Sequence, residues 1–448
     1  MNKVKVILHP KNTRNKMLRN NILISGVIKC IGLLTSLLIV PTTLNYLDNE
    51  QYGIWMTISS ILMWFSYFDV GLGNGMRNYL AQSFSKGDYE QGRVYLTTTL
   101  AMLTAIAVLL ILISTVCILA LDLNRLFNTT AVDSSMLTIS LLYATLLTLV
   151  LFVVKNIGLV YVAMQKYAVN DLLIVSSNVI ALLIVYIITK TTSTNLFYIV
   201  LTFTTTPVVV FFLSTIPLFK KHPELRPTRD SIDIAFGKQI LSKGVGFFFI
   251  QITSCLVIFG SANIFIAQAA GQEAVTTYNI AYKFFNLIVI AYTIVIAPMW
   301  NAYTDAYVKK EFDWIRLSLR RTLTIWILTL VAGLMMLCVS PYFYRLWVGE
   351  TVNVPMRVSC CVFLYVSFFN FNNCVTALIN GVNKIYVQII TSILFTLLYI
   401  LSAYCWGIRH GIEGIVICMV TSYAVMGAIH FYQCQLIVRQ KATGIWNK

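Results

Sequence analysis

An all-α integral membrane protein, with about twelve transmembrane helices in two six-helix lobes related as parallel repeats, is the fold class this sequence predicts. Three observations predict it: a composition poor in charge, a series of apolar runs long enough to cross hydrocarbon, and loops between them that alternate in charge. Of 448 residues, 58% are hydrophobic and 11% charged, against about 25% charged in an ordinary soluble domain. Mean hydropathy is +0.78. A chain with so little polar surface has lipid as its main solvent.

A helix needs about 20 apolar residues to span the hydrocarbon. On that basis the spans fall near 20–44, 53–80, 95–121, 135–161, 171–189 and 196–219, then 244–267, 274–302, 320–347, 355–379, 387–407 and 412–437. Runs this long exclude an outer-membrane barrel, whose strands are about 10 residues and alternate in polarity. The first run begins near Ile22 after a basic leader and is too long for a signal-peptide core, so it is expected to remain as span one.

The loops divide into two sets. One holds most of the basic residues, among them Lys86 and Arg93, Lys166, Lys220, Lys221, Arg226 and Arg229, Lys309, Lys310, Arg316, Arg320 and Arg321, Lys384, Arg439 and Lys441. The other holds only Arg125, Lys190, Arg345, Arg357 and Arg409. The positive-inside rule assigns the first set, and both termini, to the cytoplasm. The net charge of +16 therefore reflects topology, and nucleic acid is not an expected partner. The 10 cysteines follow no metal-ligand spacing, and most lie in apolar runs as small hydrophobes.

The stretch from Lys220 to Lys243 is the longest connection on the basic side and falls at the middle of the chain. It reads either as an ordinary solvated loop or as a linker, dividing the chain into a lobe at 1–219, a linker at 220–243 and a lobe at 244–448. A weak internal repeat favours the linker. Gly87-Asp88-Tyr89-Glu90-Gln91-Gly92-Arg93 aligns with Lys310-Glu311-Phe312-Asp313-Trp314-Ile315-Arg316. Each follows the second span of its half, which is the layout of parallel repeats.

The segment Leu47-Asp48-Asn49-Glu50-Gln51-Tyr52-Gly53-Ile54-Trp55 resembles the first external loop of bacterial polysaccharide transporters. Phe68-Asp69-Val70-Gly71-Leu72-Gly73-Asn74-Gly75-Met76-Arg77-Asn78, Gly87-Asp88-Tyr89-Glu90 and Ala163-Met164-Gln165-Lys166-Tyr167 are similar to segments of the same family. Together they resemble the O-antigen flippase (Wzx-like) family, in the superfamily that includes the MATE drug exporters. The resemblance implies a MATE-like fold in the bacterial inner membrane. It implies flipping of an undecaprenyl-pyrophosphate-linked oligosaccharide (an O-antigen, capsule or exopolysaccharide unit) by alternating access. Implied partners are that lipid-linked oligosaccharide and membrane lipids, with a polysaccharide polymerase and chain-length proteins as further candidates. No cofactor is implied, and a coupling ion, proton or sodium, is left open. The alternative is a MATE-like cation-coupled exporter of drugs or metabolites. That branch tends to place an acid in span one, where this chain has Lys29.

Charges in hydrocarbon cost several kcal/mol on most scales, so they face a cavity, a partner or an interface. Lys29, Arg77, Lys155 and Lys283 are the basic residues within spans, and Asp69 is the one acid placed well inside one. Lys29 and Lys283 are too deep for easy snorkelling; Lys155 and Arg77 lie nearer the cytoplasmic ends. Asp69, Gly73 and Arg77 are spaced four apart, which on a continuous helix gives them one face. That stripe either locks span two to a neighbour or walls a cavity. Asn279, Lys283 and Asn286 share a face of span eight, among Tyr278, Tyr282, Tyr292, Trp300 and Tyr303. Such amides and rings suit sugars and serve equally as interhelical glue. The excess of bases within spans predicts an anionic substrate.

Pro41 and Pro298 are candidate bending points, with helix packing the other reading. No Walker A or His-Glu-x-x-His motif occurs, and the external loops are too short for a catalytic domain. The chain is therefore not expected to be an enzyme; a membrane-bound polymerase is the third and least favoured reading. The topology has a direct check. Asn2→Cys and Asn447→Cys in a Cys-free background should resist an impermeant thiol reagent in intact cells, and labelling of either reverses the orientation.

Overall fold

The computed structural model describes residues 13–69, 71–241 and 258–447. Its helices are α1 (Thr13–Tyr46), α2 (Asn49–Phe65), α3 (Leu72–Lys86), α4 (Tyr89–Ala120), the short α5 (Leu123–Phe127), α6 (Ser134–Val154), α7 (Asn156–Ala163), α8 (Tyr167–Thr191) and α9 (Leu196–Lys221). They continue as α10 (Ile258–Ala270), α11 (Gln272–Val308), α12 (Phe312–Val348), α13 (Met356–Gly381), α14 (Tyr386–Cys405) and α15 (Gly411–Val438). Among the described residues 10 helical stretches are long and apolar enough to cross a membrane. Two expected spans account for the difference from twelve. The seventh, at 244–267, falls mostly outside the described residues; α10 is its described end. The second, at 53–80, is broken.

The break has a local cause. After α2 the chain tightens into a 3-10 turn at Ser66–Asp69. Gly71 then takes a left-handed conformation, φ 75°, before α3 begins. Only glycine adopts that conformation without strain. The Asp69 carboxylate accepts the Gly73 N–H at 2.9 Å and so satisfies one of the donors a helix start leaves open. Asp69 therefore lies outside α3, and its four-residue spacing to Gly73 and Arg77 does not give a common helical face.

The chain falls into two compact units. Unit one comprises Met1–Asp48, Leu62–Asn124 and Val132–Phe248; unit two comprises Asn49–Ile61, Arg125–Ala131 and Phe249–Lys448. In unit one, α1 packs on α8, α6 on α4 and α9, and α3 on α4 and α7. The 220–241 stretch is more than a solvated connector. Leu225 and Phe236 are buried, the Phe236 ring meets Tyr79 and Tyr95, and the Asp233 N–H donates to Thr98 Oγ1 at 2.9 Å.

In unit two, α13 runs through the middle, against α11, α12 and α15. Its core joins Tyr292 and Tyr303 to Cys374, Leu378 and Ile437. Between helices in lipid the apolar effect is weak, so packing fit and hydrogen bonds hold the bundle. Here Tyr292 donates to the Thr322 carbonyl at 3.2 Å. Trp326 donates to the Ser367 carbonyl at 2.9 Å. His430 lies between Thr391 Oγ1 at 2.9 Å and Asn372 Oδ1 at 2.8 Å. The two first-half segments of this unit are fixed by polar contacts. Thr129 donates to Glu50 at 2.5 Å, Asn128 to the Ala267 carbonyl at 2.9 Å, and Gln272 to the Phe127 carbonyl.

The aligned repeat segments have matching local geometry. Gly87 (φ 74°) precedes the start of α4, and Lys310 (φ 59°) precedes the start of α12. In each case the next residue's N–H returns to the preceding helix, from Asp88 to Ser83 O at 3.1 Å and from Glu311 to Ala306 O at 2.9 Å. Left-handed closure of this kind satisfies the last carbonyls of a helix. A second pair follows the same pattern. Gln165 (φ 61°) and Asn383 (φ 59°) are followed by Lys166 and Lys384, whose N–H groups bond Tyr161 O at 2.9 Å and Ile379 O at 3.1 Å.

Close helix approach in unit two rests on Gly381. A Cβ there would lie 2.8 Å from Tyr303 Cβ and 2.9 Å from the Trp300 carbonyl, where Thr304 Oγ1 donates to Gly381 O at 2.7 Å. Gly26 has nothing within 4 Å of its ideal Cβ. Gly381→Ala should destabilise the purified protein by about 1–3 kcal/mol, read as a lower unfolding midpoint, while Gly26→Ala should not. Equal midpoints for the two variants would contradict this packing.

Candidate functional site

Unit one contains an open cavity of about 420 Å³ whose polar lining is Asp69, Asn74, Lys155, Asn156, Asn170, Ser177 and Asn178 and whose apolar lining is Leu151, Leu159, Ile174, Pro207 and Phe211. Four elements build it. The Ser66–Asp69 turn and the start of α3 give Asp69 and Asn74. The junction of α6 and α7 gives Lys155 and Asn156. One face of α8 gives Asn170, Ile174, Ser177 and Asn178, spaced 4, 3 and 1 apart along the helix. From α9 come Pro207 and Phe211.

The α6–α7 junction is a break in one apolar run. Asn156 is buried and donates its amide to the carbonyls of Phe152 at 2.9 Å and Val153 at 3.3 Å. Side-chain bonding of this kind competes with the helical ladder. Two glycines let neighbouring elements close on the junction. A Cβ on Gly73 would lie 2.3 Å from Asn156 Oδ1, and one on Gly158 would lie 2.1 Å from Asn170 Oδ1. Both distances are far below van der Waals contact, so each glycine makes room for an amide.

Charge within unit one is balanced more closely than the sequence suggested. Lys155 and Asp69 line the same cavity, and the Lys155 ammonium also lies 5.6 Å from the Phe152 ring centroid. Lys29 is not among the lining residues. Its ammonium is 3.7 Å from Asp171 Oδ2, with the lysine side chain 70% exposed and the aspartate 19%. Asp171 lies in the first turns of the membrane-length α8, at the edge of the span expected at 171–189. Arg77 is also outside the cavity, its guanidinium donating to Asn78 Oδ1 at 3.1 and 3.3 Å.

Unit two holds the other expected residues. Lys283 donates to the Tyr52 hydroxyl at 3.2 Å, with its ammonium 5.8 Å from the Tyr52 ring centroid. Asn279 donates to Asn263 at 3.0 Å and to Val275 O at 2.8 Å, and Asn263 donates onward to Met56 O at 3.0 Å. That chain is interhelical glue. Asn286 accepts from Tyr282 at 3.2 Å, and Tyr282 stacks on Tyr278 with centroids 6.1 Å apart. Tyr292 and Tyr303 are core residues.

The sequence reading missed Asp171, Asn156, Asn170, Ser177 and Asn178. A signal existed: 170, 171, 174, 177 and 178 follow helical spacing within an apolar run.

No family model matches the chain. Among solved structures, a multidrug-resistance MATE family transporter of the MOP superfamily in its inward-facing conformation superposes with a TM-score of 0.75, at 15% identity, covering 93% of this chain and 98% of that one. The fold is that of the MATE transporters. The lipid II flippase MurJ, in an inward closed conformation, superposes with a TM-score of 0.67 at 13% identity, covering 94% and 90%. In sequence, the chain is similar to the "Putative O-antigen transporter" of Salmonella typhi, 21% identical over 296 residues, 65% of this chain and 64% of that protein. It is also similar to the "Putative O-antigen export protein" of Yersinia pseudotuberculosis, 22% identical over 290 residues, 61% and 62% of the two chains. The chain thus spans a little under two thirds of the length of the curated relatives it matches. The similarity agrees with the resemblance drawn from the Leu47–Trp55 and Phe68–Asn78 segments.

The unit-one cavity makes a prediction about coupling. Asp69 and Lys155 carry opposite charges, line one cavity and are both half-buried, so removing one leaves the other without its counter-charge there. Asp69→Asn should lower the unfolding midpoint more than the double variant Asp69→Asn with Lys155→Gln, with a coupling of about 0.5–3 kcal/mol in the double-mutant cycle. Strictly additive effects would mean the two groups do not interact.

Proposed function

We propose that the chain is a flippase that carries a lipid-linked oligosaccharide from the cytoplasmic to the periplasmic leaflet of a bacterial inner membrane. The carrying observation is the conjunction of two resemblances: similarity in sequence to proteins named as O-antigen transport and export proteins, and a fold shared with the lipid II flippase MurJ. The proposed cargo is an undecaprenyl-pyrophosphate-linked repeat unit of O-antigen, capsule or exopolysaccharide. Two six-helix lobes, 1–219 and 244–448 about a 220–243 connection, would move it by alternating access. The chain would supply binding and motion without a covalent step. Energy would come from a coupling ion, proton or sodium, or from supply of cargo. A polymerase and chain-length proteins would take the unit on the far side.

The residues suit such cargo. Asn74, Asn156, Asn170, Ser177 and Asn178 present amide and hydroxyl groups around one cavity, chemistry that matches sugar hydroxyls in both donating and accepting senses. Lys155 and Lys283 supply ammonium groups, each with three rotatable donors for a moving phosphate. Lys29 lies outside the unit-one cavity, where its ammonium is 3.7 Å from Asp171 between α1 and α8.

The test uses a strain deleted for its own copy of this gene, with surface polysaccharide as the readout. The wild-type chain should restore it. Lys283→Gln and Lys155→Gln, at normal membrane abundance, should each lower it at least about tenfold, the loss expected for one charge-assisted interaction. Lys283→Arg should keep part of the activity. Full restoration by the double Gln variant would remove cationic binding of the cargo. Efflux of cationic drugs by the wild type, with no effect on polysaccharide, would replace this reading with the exporter.

A further inference from the structure

A second concavity, in unit two, gathers arginines. It holds about 380 Å³ between the start of α12 and the end of α15, and its lining is Arg316, Leu319, Arg320, Leu323, Gln435, Val438 and Arg439. Arg316 and Arg320 are four apart and share a face of α12. Gln435 and Arg439 are four apart at the end of α15, where Arg439 closes the helix through its N–H to Gln435 O at 3.1 Å. Leu319 and Val438 are buried beneath them. None of the described lining residues is acidic. The carboxylate paired with Arg316 is Asp313, at 3.6 Å with its side chain fully exposed, an arrangement that offsets little charge in water.

We infer that this pocket binds the headgroup phosphate of an anionic phospholipid in the cytoplasmic leaflet. Three observations support that ligand. Guanidinium groups are weakly hydrated and bind phosphate oxygens in a bidentate fork, and three of them around one concavity leave positive charge for an anion to neutralise. The pocket lies at the end of unit two that carries the basic loops. Lys309 and Lys310 lie just before α12, with Glu311 between them and its first residue, and Gln433, two residues before Gln435, donates to the Lys384 carbonyl at 2.9 Å. The positive-inside rule places that end in the cytoplasm, where basic pockets between spans meet anionic headgroups. Finally, the floor is apolar, and further along α12 Ile327 and Leu328 are exposed. A diacyl lipid can use that surface and a free phosphate ion cannot. Trp314 and the contacting Trp446–Tyr432 pair lie nearby in sequence, the residue types that anchor a helix end at the headgroup level. The site does not depend on the flippase reading.

Native mass spectrometry of the full-length protein in detergent tests it, with dioleoyl phosphatidylglycerol, cardiolipin or phosphatidylcholine added at equal concentration. The wild type should retain the two anionic lipids over the neutral one. The triple variant Arg316→Gln, Arg320→Gln, Arg439→Gln should lose that preference about tenfold or more, the size of one or more charge-assisted contacts. Arg345→Gln with Arg409→Gln, at the opposite end, should not. A photoactivatable phosphatidylglycerol on the wild type should label peptides spanning 316–323 or 435–439, which keeps the test valid if the triple variant misfolds. Labelling elsewhere, or equal retention by wild type and a folded triple variant, overturns the assignment. Binding of inorganic phosphate by the wild type without preference among the lipids overturns it in favour of a free anion.

Discussion

In hydrocarbon a polar group must find its partner inside the protein, because water is not there to supply one. Most of what distinguishes this chain follows from that constraint. Lys155 can be accommodated in a membrane-length segment because Asp69 lines the same cavity. Lys29 is accommodated through Asp171. Asn156 turns its amide on the carbonyls of its own helix, and Asn279 turns its amide on Asn263. Where polar groups gather in one place, as along α8, they line a cavity.

The same constraint explains why helices here are interrupted. Breaking a helix in lipid exposes backbone donors and acceptors, and each break carries its own remedy. At Gly71 the remedy is the Asp69 carboxylate on the Gly73 N–H. At Lys155 it is the Asn156 amide. Both breaks border the unit-one cavity. The residues that repair the backbone, Asp69 and Asn156, are thus among those that give the cavity its polar groups, and Gly73 and Gly158 leave the space in which they do so.

Much of the fold was legible in the sequence, because span length and loop charge are set by bilayer thickness and by orientation. The Gly87–Arg93 and Lys310–Arg316 repeat was legible for a similar reason: both segments reverse the chain through one left-handed residue. The break in span two was not, since hydropathy averages over Gly71 and its neighbours without registering a local turn. The site was read in part. Lys155 and Asp69, which line the unit-one cavity, stand out as charges in apolar runs. Asp171 does not, because it follows Lys166 so closely that it reads as the edge of a loop. Asn156 is also quiet in sequence: an amide beside a lysine carries no periodic signal, and its role depends on Gly73, which is distant in the chain.

The central proposal is that this chain moves a lipid-linked glycan across a bilayer. It is tested most directly with the purified chain in proteoliposomes holding a fluorescent polyprenyl-pyrophosphate-linked oligosaccharide, assayed by a membrane-impermeant quencher or glycan-cleaving enzyme. The account predicts that wild-type protein exposes the inner-leaflet fraction to the reagent, and that Lys155→Gln slows the exchange while the protein remains folded. Exchange no faster than in protein-free liposomes, under an imposed proton or sodium gradient and without one, would contradict it.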